Sequence, residues 1–320
     1  MRDSIPDLPL LDAAGLRSAN PAELDSVAHH LRQACETHGF FYLRNHGVPQ
    51  ALIQQVFAFN RAFFSQPMEA KLALDKARSR CNRGYEPLQA QRLEPGAPPD
   101  LKESFYIGEE VPESDPRVAA GMFNTGPNQW PADDLGGFRA TMSAYFEAAR
   151  ELAALVVRGL ERSLELPGHY FDDYLDAGAC TLRLLHYPPQ PANPLPGEKG
   201  CGEHTDFGGI TLLLQDDAGG LQVRDAELQR WIDAPPIPGA YVVNIGDLFE
   251  GWTNGRYRST LHRVINTSGR ERHSVPFFFT GNPRHIVACL PTCLSAGEAP
   301  LHPPVTVEQH LRDCYARTYG

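Results

Sequence analysis

The 320-residue chain lacks any stretch near the roughly 18 consecutive apolar residues that a membrane span requires; its longest apolar runs, such as the one around 152–157, are far shorter. Positive charge is also scarce. Lys+Arg 29 against Asp+Glu 39 gives a net charge of −10, and no Lys/Arg run exceeds two residues. Binding along a phosphate backbone draws on a surplus of basic side chains, so nucleic acid is excluded as the main partner. No CxxC occurs, and the seven cysteines (Cys35, Cys81, Cys180, Cys201, Cys289, Cys293 and Cys314) are odd in number and widely spaced. Such spacing fits neither a disulfide framework nor a thiolate zinc site, which leaves free thiols as the expectation. The N-terminal MRDSIPDLPLLD mixes charge and proline early and has no apolar h-region, against a secretory signal. The chain is therefore expected to be cytoplasmic, with no membrane segment, and nothing in it sets an oligomeric state. At 42% apolar and 21% charged residues it is neither disordered, collagen-like nor coiled-coil.

What is present divides into two kinds of pattern. Leu24, Val27, Leu31 and Ala34 recur at helical spacing after Pro21, and Gly39 ends that helix before the short aromatic strand FFYL. A second apolar stripe follows Pro49, and the clearest helix covers 137–164. Residues 78–100 and 111–137 are rich in Pro, Gly, Asn and Asp and read as long connections. Beyond about Thr181 come LRLLHY, GITLLLQ, LQVR, YVVNIG, YRSTLHRVI and HSVPFFF, short β-rich runs separated by turn signals that suggest a sandwich or barrel. The C-terminal QHLRDCYART reads as a helix. No internal repeat is present.

His204-Thr205-Asp206 stands just before the GGITLLLQ run. In an extended segment alternate side chains share a face, so an imidazole and a carboxylate project together. Alone, the pair is as well explained by a surface pair or a satisfied core histidine, and His262 in YRSTLHRVI by a structural one. Two imidazoles and one carboxylate together form the facial site typical of non-haem Fe(II) oxygenases. Zinc also accepts this donor set, which keeps a zinc hydrolase open. Arg272 and Ser274 alternate along the next run, placing a guanidinium and a hydroxyl on one face. A buried Arg needs an anionic partner, and either a dicarboxylic co-substrate or a distant carboxylate would satisfy it. Asp247 is expected to cap a helix, and His46 and His186 to be structural.

The ordered set HYPP, GEHTDFGGITLLLQD, GGLQV, VVNIGD, NGRYRSTLHRV and RHSVPFFF resembles the iron/2-oxoglutarate-dependent dioxygenase superfamily, in its isopenicillin N synthase-like branch. IPDLPLLD, ETHGFFYLRNHGVP, AFFSQPMEAKLAL, RGYEP and KESFYIG extend the resemblance from about Ile5 to Phe279. It implies an α+β protein with a double-stranded β-helix (jelly-roll) core and a helical N-terminal region packed on it. The expected division is a helical region over 1–175, the core over 176–285 and a C-terminal segment over 286–320, read as one compact unit.

By the same resemblance His204, Asp206 and His262 would ligate Fe(II). Arg272 and Ser274 would hold the distal carboxylate of 2-oxoglutarate, with Tyr187 nearby, and Arg183 matches a position used by ethylene-forming relatives. O2 is the further co-substrate. Oxidative decarboxylation of 2-oxoglutarate would drive hydroxylation, or a related oxidation, of a small-molecule substrate. Plant members often have Asn where this chain has Leu185. Ethylene-forming enzymes carry Phe and Ala where it has Tyr187 and Ser274, and isopenicillin N synthases carry a C-terminal glutamine that it lacks. An ordinary 2-oxoglutarate oxygenase is thus the leading reading. Ethylene/succinate formation, an oxidase without 2-oxoglutarate and a non-enzymatic jelly-roll binding protein stand behind it. The substrate pocket is expected to draw on the loops 80–100 and 111–137 and on the C-terminal segment, with Arg83 or Tyr85 touching the substrate.

Overall fold

In this computed structural model the described residues are 8–176, 178–295 and 297–319. Among them, twelve strands build two facing sheets: β1 (Leu10–Asp12), β2 (Phe40–Arg44), β3 (Gly84–Glu86), β4 (Glu103–Gly108), β5 (Cys180–Tyr187), β6 (Cys201–His204), β7 (Ile210–Gln215), β8 (Leu221–Asp225), β9 (Arg230–Asp233), β10 (Tyr241–Ile245), β11 (His262–Val264) and β12 (Arg272–Phe279). The larger sheet runs β1-β2-β10-β7-β12-β5-β4-β3 and the smaller β6-β11-β8-β9. Every pairing in both is antiparallel except that of β1 with β2.

The period-2 alternation of the large sheet divides the apolar residues into two cores. In β2, Phe40 and Tyr42 turn toward the small sheet, where they join Leu185, Leu221, Val242 and Val264. Phe41 and Leu43 turn the other way, into a core shared with the helices. Burial on both faces explains why FFYL is a continuous apolar run and not an alternating one. The helix Phe138–Ser163 supplies Met142, Tyr145, Phe146, Ala149, Leu152, Val156 and Leu160 at helical spacing to that outer core. Fully burying each large apolar side chain contributes about 1.5–3 kcal/mol. The helices Pro21–Thr37 and Gln50–Phe64 pack beside it. Asn20 caps the first of them through the Ala22 amide, with Pro21 at its first turn.

Several expectations change in the folded chain. IPDLPLLD contributes the short strand Leu10–Asp12 laid parallel to β2, and its first residues lie outside the described ones. The connection at 78–100 contains β3, a three-residue strand held by β4 and too short to show a periodicity. Of YRSTLHRVI only His262–Val264 is strand, since Tyr257 and Thr260 turn back to bond Ser163 and the His38 carbonyl. Asp247 opens the helix Asp247–Trp252 but does not cap it. Gly246 occupies the cap position, and the Asp247 carboxylate accepts from the Ser259 hydroxyl at 2.6 Å. All seven cysteines are free. No helix among the described residues is long and apolar enough to cross a membrane.

Candidate active site

A cavity of about 390 Å³ opens between the two sheets. His204 at the end of β6 and His262 at the start of β11 are direct Cα partners, with ring centroids 4.2 Å apart. Asp206, two residues beyond His204, places Oδ1 3.8 Å from the Nε2 of each. The far side of every ligand is tied to the protein. His204 Nδ1 lies 2.8 Å from the Gly202 carbonyl and His262 Nδ1 3.1 Å from that of Thr260. Each imidazole therefore donates from Nδ1 and keeps the Nε2 lone pair directed inward. Asp206 Oδ2 accepts from Thr211 Oγ1 (2.5 Å) and Asn244 Nδ2 (2.7 Å). Backing of this kind fixes tautomer and orientation at metal sites.

The electrostatics favour the same protonation states. Burial pushes the His204 imidazole down despite the nearby Asp206 carboxylate. Burial and the neighbouring His204 push His262 down to about 4. Burial alone would raise the Asp206 carboxyl, but His262 and His204, with the Thr211 and Asn244 hydrogen bonds, hold it below its ordinary value. Neutral imidazoles and an ionised carboxylate are the metal-binding forms, and the three donor atoms cluster closely enough to hold one ion. The residues present thus fit a divalent metal of the Fe(II) type.

Arg272 is fully buried on the floor of the same cavity. Its guanidinium donates to the Gly219 carbonyl (2.7 Å), Ser274 Oγ (3.1 Å) and Gln215 Oε1 (3.1 Å), all uncharged, and lies 4.7 Å from the Tyr187 ring centroid. It makes no ion pair with a described carboxylate. A guanidinium taken out of water without an anion is costly, so the site fits a ligand carboxylate. Tyr187 is the Cα partner of Arg272 across β5 and β12, and Ser274 also lines the cavity.

Arg183 also reaches the cavity, four residues along β5 from Tyr187, but it is engaged within the protein. Its Nη2 donates to Glu86 Oε2 (2.9 Å), Gln91 Oε1 (3.0 Å) and Ser104 Oγ (2.8 Å), over the Tyr106 ring. Glu86 accepts further from Lys76 (2.5 Å) and Tyr106 (2.7 Å). Burial would raise this carboxyl, yet Arg183 and Lys76 bring it down to about 2.

Arg83 and Tyr85 do not line the cavity, contrary to the sequence-based expectation. One step of strand alternation is the reason. Glu86 faces inward with Ser104 and Tyr106, whereas Tyr85 pairs with Phe105 on the helical side, where its hydroxyl donates to Glu103 Oε2 at 2.5 Å. The Arg83 guanidinium is spent on the carbonyls of Cys81 and Asn124. Asn82 and Gln91 come from the expected loop instead, Asn124 from the second loop, and Leu311 and Tyr315 from the C-terminal helix. The sequence reading missed Lys102, whose buried ammonium pairs with Asp100 and lies 3.3 Å from Cys201 Sγ. It also missed Thr211 and Asn244, although both lie within motifs it singled out.

Two family models match the chain: a model for the N-terminal region of a non-haem dioxygenase in morphine synthesis over residues 8–133, and the 2OG-Fe(II) oxygenase superfamily over 178–281. The 2-oxoglutarate-Fe(II) type oxidoreductase hxnY of Emericella nidulans is 47% identical over 317 residues, covering 98% of this chain and 90% of its own length. Among solved structures, a full-length Neurospora crassa protein in complex with alpha-KG is similar at a TM-score of 0.86 and 31% identity, covering 99% of this chain and 98% of its own. The same Neurospora protein in complex with alpha-KG and thymine is similar at a TM-score of 0.85 and 31% identity, with the same coverage. The jelly roll, the donor set and these likenesses agree that the chain belongs to the 2OG-Fe(II) oxygenase superfamily and is an Fe(II)/2-oxoglutarate-dependent dioxygenase.

Proposed function

We propose that His204, Asp206 and His262 hold the iron, that Arg272 and Ser274 take the distal carboxylate of 2-oxoglutarate, and that the enzyme oxidises a C–H bond of a small planar ring compound bearing carbonyl or carboxylate oxygens. The observation that carries this reading is Arg272, a fully buried cation with only neutral partners in the cavity that also holds the triad. The RHS run and the HTD…H order support the isopenicillin N synthase-like branch, and the need of Arg272 for an anion favours a 2-oxoglutarate enzyme over an oxidase without it.

Iron with O2 supplies the oxidative decarboxylation of 2-oxoglutarate to succinate and CO2 and the oxidising power for the substrate C–H bond. The chain's own residues bind and orient. Charge-assisted, fork-shaped donation by Arg272 sets the direction of the co-substrate, and Ser274 adds a hydroxyl donor. Tyr187 flanks that guanidinium and excludes water from it. Asn244 and Thr211 hold Asp206 so that one of its oxygens stays directed inward.

For the substrate, Asn82, Gln91, Lys102 and Asn124 contribute polar groups to a cavity whose other walls include Leu93, Phe207, Leu311 and Tyr315. Apolar walls that include two aromatic rings, with a few polar groups among them, suit a planar ring with acceptor oxygens. The Neurospora crassa structure with thymine is a solved case of a similar chain holding such a ring.

The test is an anaerobic titration of Fe(II)-loaded protein with 2-oxoglutarate, following the visible charge-transfer band, and then a succinate-release screen over planar ring compounds. A saturable band that Arg272→Ala abolishes is expected. An unchanged band in that variant would overturn the co-substrate assignment. No ring compound stimulating succinate release would overturn the substrate class.

A further inference from the structure

On the opposite face of the β5–β12 ladder, behind Arg272 and Tyr187, the same arrangement recurs. His186 of β5 and His273 of β12 are direct Cα partners, their rings stacked at 4.9 Å with 22° between planes. Glu271 lies two residues from His273, as Asp206 lies two from His204. Its Oε1 is 3.8 Å from His186 Nε2 and its Oε2 4.0 Å from His273 Nε2. One ligand atom from each of the three residues falls within 4.8 Å of the others.

The backing of these imidazoles also matches that of a metal site. His186 Nδ1 lies 2.8 Å from Glu103 Oε1, and Glu103 is itself held by Lys71 and Tyr85. His273 Nδ1 lies 3.1 Å from Asn60 Oδ1. With both Nδ1 atoms turned to side-chain oxygens, both Nε2 atoms are left toward Glu271, and a ligating histidine is normally held in this way. His186 Nε2 is buried and has no hydrogen-bond partner. A buried ring nitrogen without a partner carries a desolvation cost that a bound cation would relieve. The Phe64 ring packs on both imidazoles, while Glu271 is largely exposed and leaves an open approach from solvent.

We propose that His186, His273 and Glu271 form a second cation site, for a divalent transition metal such as zinc, that clamps β5 to β12 behind the co-substrate anchor. Two imidazoles and one carboxylate with an open position suit zinc. Of the strands it would join, β12 carries Arg272 and Ser274 and β5 carries Tyr187, all three facing the cavity.

The test measures zinc binding to the full chain by equilibrium dialysis in a background of His204→Ala with Asp206→Ala, which removes the first site. One equivalent of zinc is expected. Adding Glu271→Ala, an exposed position that should leave folding intact by circular dichroism, is expected to weaken binding at least tenfold, and His273→Gln likewise. Cys314→Ser is expected to leave binding unchanged, because it alters a different His/Asp/Cys cluster. The proposal is overturned if the background binds no zinc, if the bound zinc is indifferent to both Glu271→Ala and His273→Gln, or if Cys314→Ser removes it.

Discussion

Asn244 donates its side-chain amide to Asp206 Oδ2 at 2.7 Å, so a residue in the middle of the large sheet orients the carboxylate of the triad. Thr211, on the neighbouring strand and the Cα partner of Asn244, donates to the same oxygen at 2.5 Å. With Oδ2 occupied twice, Oδ1 is the oxygen left facing both imidazoles.

Removing these donors is therefore expected to weaken iron binding without touching a ligand. Asn244→Ala or Thr211→Val should each raise the Fe(II) dissociation constant by about 10–100-fold, the usual effect of losing an outer partner at a metal site. Fe(II) titration against a competing chelator checks this. Unaltered iron affinity in both variants would mean that Asp206 is positioned by its backbone alone.

Arg272 separates co-substrate binding from metal binding. Arg272→Ala is expected to raise the 2-oxoglutarate dissociation constant by at least about tenfold, since a charge-assisted hydrogen bond contributes about 1.5–3 kcal/mol. Iron affinity should remain near that of the parent. Arg272→Lys should recover part of the loss, because it restores charge without the planar fork. Isothermal titration with Fe(II)-loaded protein distinguishes these outcomes, and equal affinity in all three proteins would remove Arg272 from the co-substrate site.

His204 with Asp206, and Arg272 with Ser274, stood out in the sequence because each pair is two residues apart in an extended run, whereas His262, 56 positions beyond Asp206, joined the triad through the family resemblance. The strand-rich second half was legible because its short β-rich runs are separated by turn signals. Glu86 was not, since its role arises when a three-residue strand pairs with β4 and brings it within reach of Arg183, 97 positions away. Arg83 and Tyr85 stand beside it in sequence, but one falls outside the alternating run and the other on its opposite face. His186 and His273 are 87 positions apart, and only the β5–β12 register places them together. Long-range pairing of short strands leaves no periodic trace, whereas spacing within a strand does.

Buried neutral histidines give the metal-free protein a defined acid sensitivity. His262 and His273 are each pushed down to about 4, burial being the largest cause in both. In the unfolded chain they titrate near ~6.5. Between those values the unfolded state binds more protons. The stabilisation is thus complete above the unfolded value and lost as pH falls from about 6.5 through about 4. Urea denaturation of chelator-treated protein is expected to show falling stability between pH 7 and pH 4.5, with a shallower fall for His273→Asn. A flat profile over that range would contradict the burial of neutral imidazoles.

Gly246 tests how the backbone holds the triad. Its amide donates to the Gly209 carbonyl, and the next amide, Asp247, donates to the Asp206 carbonyl, both at 2.8 Å. A Cβ at Gly246 would stand 2.2 Å from the Gly208 oxygen and 2.8 Å from the Asp206 oxygen. Its φ of −107° suits any residue, so the obstacle is packing against backbone that cannot withdraw without moving the Asp206 turn. Gly246→Ala is expected to destabilise the protein by about 1–3 kcal/mol, the usual cost of overpacking. It should also lower iron affinity at least tenfold by displacing Asp206. Gly251→Ala is the matched control: its Cβ would meet only Val287 Cγ1 at 3.7 Å, an ordinary contact within a helix, where alanine stabilises by roughly 0.5–1 kcal/mol. Thermal denaturation and Fe(II) titration of the two variants side by side check this, and iron affinity preserved in Gly246→Ala would show that the turn can shift while Asp206 stays in place.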